Sequence, residues 1–333
     1  MPTEPGPALV IGASGFLGSH VVAALAARGD DVRVMLRKTS STKGIDGLDV
    51  QRCYGDVFDA DALRAAMTGC SVIYYCVVDA RMWLRDPAPL FATNVEGLRQ
   101  VLEVATEPEI AAGLRRFVFT STIGTLAVSD TRPVTEDDPH NWTEGGPYIE
   151  SRVAAENLLL DYCRDRGLPG VAMCVSTTYG PRDFAPTPHG AQIAMVAAGR
   201  MPAYPDFGLE VVGIEDAAAA MLAAAERGRP GHRYIVSDRY MSMREIQNAV
   251  ADAAGVRRPW LKIPRPVLRA GARLNDVAAA LLNRDLPFAA AGQRMTERMS
   301  PLDHAKAERE LGWRPRPTEV SLAAAAEFFT AAG

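Results

Sequence analysis

Short apolar runs alternate with longer stretches of helical spacing through the first half of the chain. Ala8 to Ile11 is apolar at every position, which predicts a strand buried on both faces. Ser19 to Arg28 carries its apolar residues at three- and four-residue intervals and predicts a helix, and Asp31 to Leu36 predicts a second strand. Asp59 is placed to cap a helix reaching Met67, and Ser71 to Val78 reads as an apolar strand. The series continues with a helix around Asn94 to Thr106, a strand from Arg116 to Thr120, a helix from Pro147 to Arg166 and a strand from Gly170 to Ser176. This repetition of βαβ units predicts an α/β fold, a Rossmann-type doubly wound parallel sheet.

Beyond Tyr179-Gly180-Pro181 the pattern changes. Proline and glycine are dense through Phe207, and the later chain is mostly Ala- and Arg-rich helix. The expected division is a dinucleotide-binding domain over 1–180 and a smaller, mostly helical substrate-binding domain over 181–210 and 238–333. Residues 211–237 are expected to return to the first domain, with Val211 to Glu226 as strand and helix and His232 to Val236 as a strand of its sheet.

At 333 residues and 48% hydrophobic content, the chain can bury a substantial core. Its net charge of −4 provides no positive field for a phosphate backbone, so nucleic acid is not an expected partner. The five cysteines are odd in number, lack CxxC spacing and mostly sit in apolar runs, as reduced thiols of a cytoplasmic protein do. The start MPTEPGP has no secretory pattern, and no apolar run reaches the ~18 residues of a span. The best membrane candidate, Val267 to Leu282, carries Arg269, Arg273 and Asp276, so it reads as an amphipathic helix with no membrane span. The five histidines have no metal spacing among themselves or with cysteine, and no metal is expected. Ser14 sits in a GxSG-like context, but no histidine and acid can be placed with it, so it reads as a loop residue.

After the first strand comes Gly12-Ala13-Ser14-Gly15-Phe16-Leu17-Gly18, a GxxGxxG that opens a helix. Glycines there allow a tight turn and a close backbone approach to a pyrophosphate, while the helix start supplies partial positive charge. About 20 residues on, where an NAD site places an acidic side chain, stand Arg37 and Lys38, with Lys43 nearby. A guanidinium there can grip a 2′-phosphate with two hydrogen bonds, so NADP(H) is the preferred cofactor and NAD(H) the alternative. Asp56, in Gly55-Asp56-Val57 after the third strand, suits either the adenine or a helix cap.

The glycine loop, the strand end Phe119-Thr120-Ser121-Thr122 and the spacing Tyr148-x-x-x-Arg152 together resemble the extended short-chain dehydrogenase/reductase superfamily, also called the NAD-dependent epimerase/dehydratase family. Asn94-Val95-Glu96-Gly97, Tyr179-Gly180-Pro181-Arg182 and the segment Lys306 to Pro315 are similar to further motifs of that family, so the resemblance covers nearly the whole chain. It implies hydride transfer between a nicotinamide and an oxygen-bearing carbon, with Tyr148 as general acid/base, Thr122 holding the substrate oxygen and Arg152 in the place of the family's lysine. Residues four apart share a helix face, so a cation at 152 can reach past Tyr148 and lower its pKa toward neutrality. Val175 stands where the family usually has proline. The expected cofactor-binding set is Gly12, Gly15, Phe16, Leu17, Gly18, Arg37, Lys38, Asp56, Val57, Val77, Tyr148, Arg152, Val175 and Thr178.

Ile123-Gly124 occupy the positions where 4,6-dehydratases carry an Asp-Glu pair, which argues against a dehydratase. The stretch from Gly199 to Pro205, with Gly208 to Val212, resembles a branch shared by dihydroflavonol-reductase-like proteins, 3β-hydroxysteroid-dehydrogenase-like proteins and hopanoid-associated sugar epimerases, which leaves the substrate open. Three readings follow: an oxidoreductase for a secondary alcohol and its ketone, a sugar-nucleotide epimerase with tightly held NAD, and a dinucleotide-binding regulator without turnover. The expected pocket wall, Asp79 to Trp83 and Phe184 to Phe207, mixes apolar and aromatic side chains with Arg81, Arg85, Arg182 and Arg200, and Arg182 is also placed to pair with Asp183 or Glu215. The expected partner is a small-molecule substrate; the resemblance implies a homodimer through a bundle that includes the helix after Tyr148, and a monomer fits the composition equally well.

Overall fold

The structure, a computed structural model, describes residues 6–142, 145–286 and 298–331. The first five residues, and residues 287–297 and 332–333 of the expected substrate domain, lie outside the described residues. The strands are β1 (Ala8–Ile11), β2 (Val32–Leu36), β3 (Gln51–Tyr54), β4 (Val72–Tyr75), β5 (Arg116–Thr122), β6 (Gly170–Val175), β7 (Thr177–Tyr179), β8 (Ala203–Pro205), β9 (Gly208–Gly213), β10 (Arg233–Val236), β11 (Arg239–Ser242) and β12 (Leu261–Ile263). A seven-stranded sheet of order β10-β6-β5-β4-β1-β2-β3 forms the centre, and every neighbouring pair in it is parallel. The chain leaves β1 toward one edge and returns at β4 to run toward the other. The crevice at the carboxyl ends of β1 and β4 is therefore the switch point where such sheets bind ligands.

Helices cover both faces, as a fully buried parallel sheet requires. On one side, α1 (Phe16–Arg28) packs against the sheet with an apolar cluster that includes Val21, Leu25, Val34 and Val118. On the other, α2 (Ala60–Met67), the short α3 (Ala88–Phe91), α4 (Gly97–Ala105), the short α5 (Pro108–Ala111) and α6 (Gly146–Arg166) cover the sheet around Leu63, Leu98, Phe117 and Leu159. Gly29 and Gly167 end α1 and α6 in the left-handed conformation that a Cβ would oppose.

Further on lie α7 (Pro188–Ala197), α8 (Ile214–Arg227), α9 (Met243–Ala253), α10 (Arg265–Leu282), α11 (Ala305–Leu311) and α12 (Thr318–Ala331). Two expectations meet different outcomes here. The strand expected from His232 does join the central sheet, as its β10 edge. The strand expected from Val211 does not: β9 lies between β11 and β7 in a separate three-stranded sheet, while its Val212 and the α8 that follows pack into the main core. The reason is that β7, directly after β6, already turns the chain away and supplies a parallel partner for β9. The indole of Trp313 donates to the carbonyl of Asp216 at 2.8 Å, which fixes the C-terminal motif onto α8.

Glu210 on β9 holds this second unit together from inside. One carboxylate oxygen accepts from Leu302 N at 3.0 Å and the other from the Ser237 hydroxyl, and the side chain is buried. Burial pushes its pKa up from 4.5 to about 7. An unfolded chain releases this proton near pH 4.5 and the folded one near 7, so stability falls as pH rises between those values, by at most about 3 kcal/mol. Glu210→Gln keeps an oxygen for Leu302 and has no charge to bury. Its urea midpoint is expected to match the parent near pH 5 and exceed it at pH 8, and an unchanged difference between those two pH values would refute this role.

Candidate active site

The glycine loop closes against the backbone that follows β4. A Cβ at Gly12 (φ +91°) would sit 2.8 Å from the carbonyl carbon of Cys76 and 2.9 Å from Val77 N, and one at Gly18 would sit 2.2 Å from the Gly12 oxygen. Gly15 N donates to Gly12 O at 3.0 Å, and α1 begins at Phe16 with no side-chain cap and no acid in its first turn. The leading amides of a 13-residue helix thus keep no side-chain acceptor of their own, as an anion site needs. Phe16 and Leu17 are half-buried beside this start, with the Phe16 ring 5.2 Å from that of His20.

Arg37 and Lys38 follow β2 directly, are exposed, and make no side-chain hydrogen bond or ion pair among the described residues. Asp56 accepts from Phe58 N at 3.2 Å, while Asp59 caps α2 by accepting from Ala62 N at 3.0 Å. The cap is therefore Asp59, not Asp56. Val57 and Val77 are half-buried against the cluster beneath α2 and α4. Arg182, in the left-handed region at φ +64°, donates to the carbonyl of Gly44. This corrects its expected pairing, because Asp183 accepts from Thr187 N at 2.8 Å and Glu215 pairs with Arg316 at 2.8 Å. The turn after β7 is thereby tied to the loop that carries Arg37 and Lys38.

Tyr148, Arg152 and Glu156 stand one turn apart along α6, and Thr122 ends β5 beside them. The Thr122 hydroxyl accepts from Gly124 N at 3.2 Å. Burial pushes the Tyr148 phenol up; the Arg152 charge and the Thr122 hydroxyl pull it down, and the Asp79 charge adds to the rise. The outcome is a raised pKa, opposite to the expected lowering, because desolvation of the phenol outweighs the pull of the arginine charge. Its guanidinium is buried, donates to the Thr120 carbonyl and lies 5.1 Å over the Phe119 ring. Its Nε and Nη1 are buried and have no hydrogen-bond partner among the described residues. Each such donor costs about 1–3 kcal/mol, a cost that a bound hydroxyl pair would remove.

Sequence reasoning did not single out what lies behind this face. One oxygen of buried Glu156 accepts from the Ser121 hydroxyl and, at 2.9 Å, from Thr125; the other pairs with Arg233 at 3.0 Å. Ser121 and Thr125 bracket Thr122, so Glu156 holds the strand end from both sides. The available signal was its spacing, four residues past Arg152 and eight past Tyr148. Asn94, expected only to start a helix, sits in a π turn over Ala92–Glu96. Its amide oxygen accepts from Asp79 N at 2.8 Å, and its nitrogen donates to Asp79 O and the Ser151 hydroxyl, both at 3.0 Å. Asp79 in turn pairs with Arg81.

Val175 is buried at the end of β6, opposite Thr122 in register. Thr178 is half-buried on β7, paired with Val212. Ile123 and Gly124 form the tight turn after Thr122, and Ile149 fills the space a side chain at 124 would need. Of the expected wall arginines, Arg85 is turned to Asn283, its guanidinium donating to the Asn283 oxygen at 2.7 Å.

Over residues 8–237 the chain matches the model of the NAD dependent epimerase/dehydratase family. Sterol demethylase protein B of Methylococcus capsulatus is 31% identical over 333 residues, 98% of each chain. The putative dihydroflavonol 4-reductase of Synechocystis sp. is 29% identical over 96% of this chain and 93% of its own. Among solved structures, that of gox2253 superposes with a TM-score of 0.85 at 32% identity, covering 98% of this chain and 99% of that one.

Proposed function

The chain belongs to the NAD-dependent epimerase/dehydratase family, and from that premise we propose that it is an NADP(H)-preferring oxidoreductase interconverting a secondary alcohol and a ketone on an apolar-bodied substrate. The observation that carries this reading is the convergence of Tyr148, Thr122 and the unpaired donors of Arg152. When bound, the dinucleotide supplies or takes the hydride. The glycine loop and the start of α1 hold its phosphates, Arg37 and Lys38 its 2′-phosphate, and Arg152 Nε and Nη1 suit the hydroxyls of its nicotinamide ribose.

Thr122 holds the substrate oxygen in reach of Tyr148, and the phenol gives that oxygen a proton in reduction or takes one in oxidation. A raised phenol pKa keeps the proton in place at neutral pH, which suits reduction of a ketone. Ile123 and Gly124 offer no carboxyl for elimination. The likeness to a sterol demethylase protein and to a putative dihydroflavonol 4-reductase supports a flat, ring-bearing substrate.

The test is to denature freshly purified protein, identify the nucleotide released, and then assay NADPH and NADH against alicyclic ketones and alcohols. Empty protein that reduces ketones with NADPH supports the proposal. Near-stoichiometric NAD with no net ketone reduction sinks it in favour of an epimerase. Arg37→Ser is expected to raise the KM for NADPH about 10- to 100-fold, the size of losing charge-assisted hydrogen bonds, with little effect on NADH. Equal effects on both nucleotides would remove Arg37 from the 2′-phosphate site.

A further inference from the structure

Half of the large apolar side chains that the described residues expose to water lie between Trp260 and Leu282. On α10 only Leu268, Ala272 and Ala279 are buried. Val267, Leu274 and Leu281, seven residues apart and so on one side of the helix, are exposed together with Val277 by 56% to 82%. Just before the helix, Trp260 is 62% exposed and Leu261 49%. Single exposed apolar residues are ordinary on a protein surface; a helical stripe of them continuing into a tryptophan is not.

The same segment has an unusual charge. Between positions 257 and 286, seven arginines and lysines stand against Asp276 and Asp285, a net of +5 in a chain whose total is −4. Arg258 and Lys262 are paired with Asp252 and Asp206. Arg257, Arg265, Arg273 and Arg284 are exposed and have no ion pair among the described residues, and Arg257 lies 5.9 Å over the Trp260 ring. Arg265, Arg269 and Arg273 follow one another at four-residue spacing, so a basic stripe runs beside the apolar one.

We propose that this surface docks the protein on an anionic lipid bilayer. The helix α10 lies in the plane of the interface, with Val267, Leu274, Val277 and Leu281 at the acyl boundary and Arg257, Arg273 and Arg284 among the headgroups. Trp260 has the amphipathic ring that sits at that depth. The charge decides between this occupant and a second copy of the chain, since a two-fold contact through α10 would set the basic stripe against itself. Spanning is excluded for this element: no helix among the described residues is long and apolar enough to cross a membrane. The inference goes beyond the proposed reaction and does not depend on it.

The test uses the full chain without nucleotide or substrate, sedimented with vesicles of phosphatidylcholine alone or mixed with phosphatidylglycerol. Binding is expected on the anionic vesicles only and should fall as salt is raised. The double variant Leu274→Ser/Leu281→Ser should abolish it. Each of Arg257→Gln and Arg273→Gln should weaken it about fivefold, the share of one interfacial cation. Both positions are exposed, so the folded state is preserved and circular dichroism verifies it. Equal binding to both vesicle types, or binding that these variants leave unchanged, overturns the proposal. A dimer in sedimentation velocity that Leu274→Ser/Leu281→Ser dissolves, with no vesicle binding by the parent, reassigns the surface to a second copy. Binding is read on the protein alone, so failure here leaves the oxidoreductase reading standing, and failure of the activity assays leaves this one.

Discussion

Tyr148→Phe is expected to lower turnover by roughly 100- to 10,000-fold, the range of a lost general acid/base, while NADPH binds as tightly as before. The ring stays in its place on α6 and only the proton-carrying oxygen is removed, so a large effect confined to kcat identifies chemistry and not folding. The same group sets the pH profile. Because the phenol is raised from its usual value, ketone reduction should be flat through neutrality and fall only where the phenol ionises. Alcohol oxidation needs the phenolate, so it should rise about tenfold per pH unit below that point. Steady-state kinetics in both directions check this, and parent-like turnover by Tyr148→Phe on a real substrate would end the assignment.

Arg152→Met is expected to be nearly as damaging, on the order of 100-fold or more, and by a different route. It removes the charge that pulls the phenol down and leaves the Thr120 carbonyl without its buried donor. The inflection of alcohol oxidation should therefore move to higher pH, and both nucleotide affinity and kcat should fall. Arg152→Lys keeps the charge on a more compact head and should retain activity or exceed it. The informative comparison is the inflection across the three proteins: an inflection indifferent to residue 152 would mean that the arginine acts on the nucleotide alone.

The central sheet was legible because buried parallel strands read as unbroken apolar runs; β1, β4 and β6 are such runs, and each lies in the sheet where the pattern puts it. The glycine loop was equally legible, since its residue types answer to a steric demand visible in the spacing. What could not be read was partnership across the chain. The sheet that β9 joins depends on β7, a three-residue strand with no periodicity of its own. The role of Glu156 depends on Arg233, 77 positions away, and a carboxylate in a helix pattern reads as solvated until that partner is seen. The phenol of Tyr148 was expected to be acidified because spacing reveals a nearby cation but not the desolvation that opposes it.

The order of strands in space also bears on how the protein can be made and cut. Strand β6, buried along its whole length, is covered on one side by β10, which emerges from synthesis some 60 residues later, after the small sheet's β7 and β9. A ribosome that has delivered the first 180 residues has therefore delivered the expected nucleotide-binding region with one edge still open. A fragment truncated there would present six apolar residues with unpaired backbone to any passing strand. The two units are thus separable in a drawing of the chain but not on the bench, and the shortest length that closes the central sheet ends past Val236.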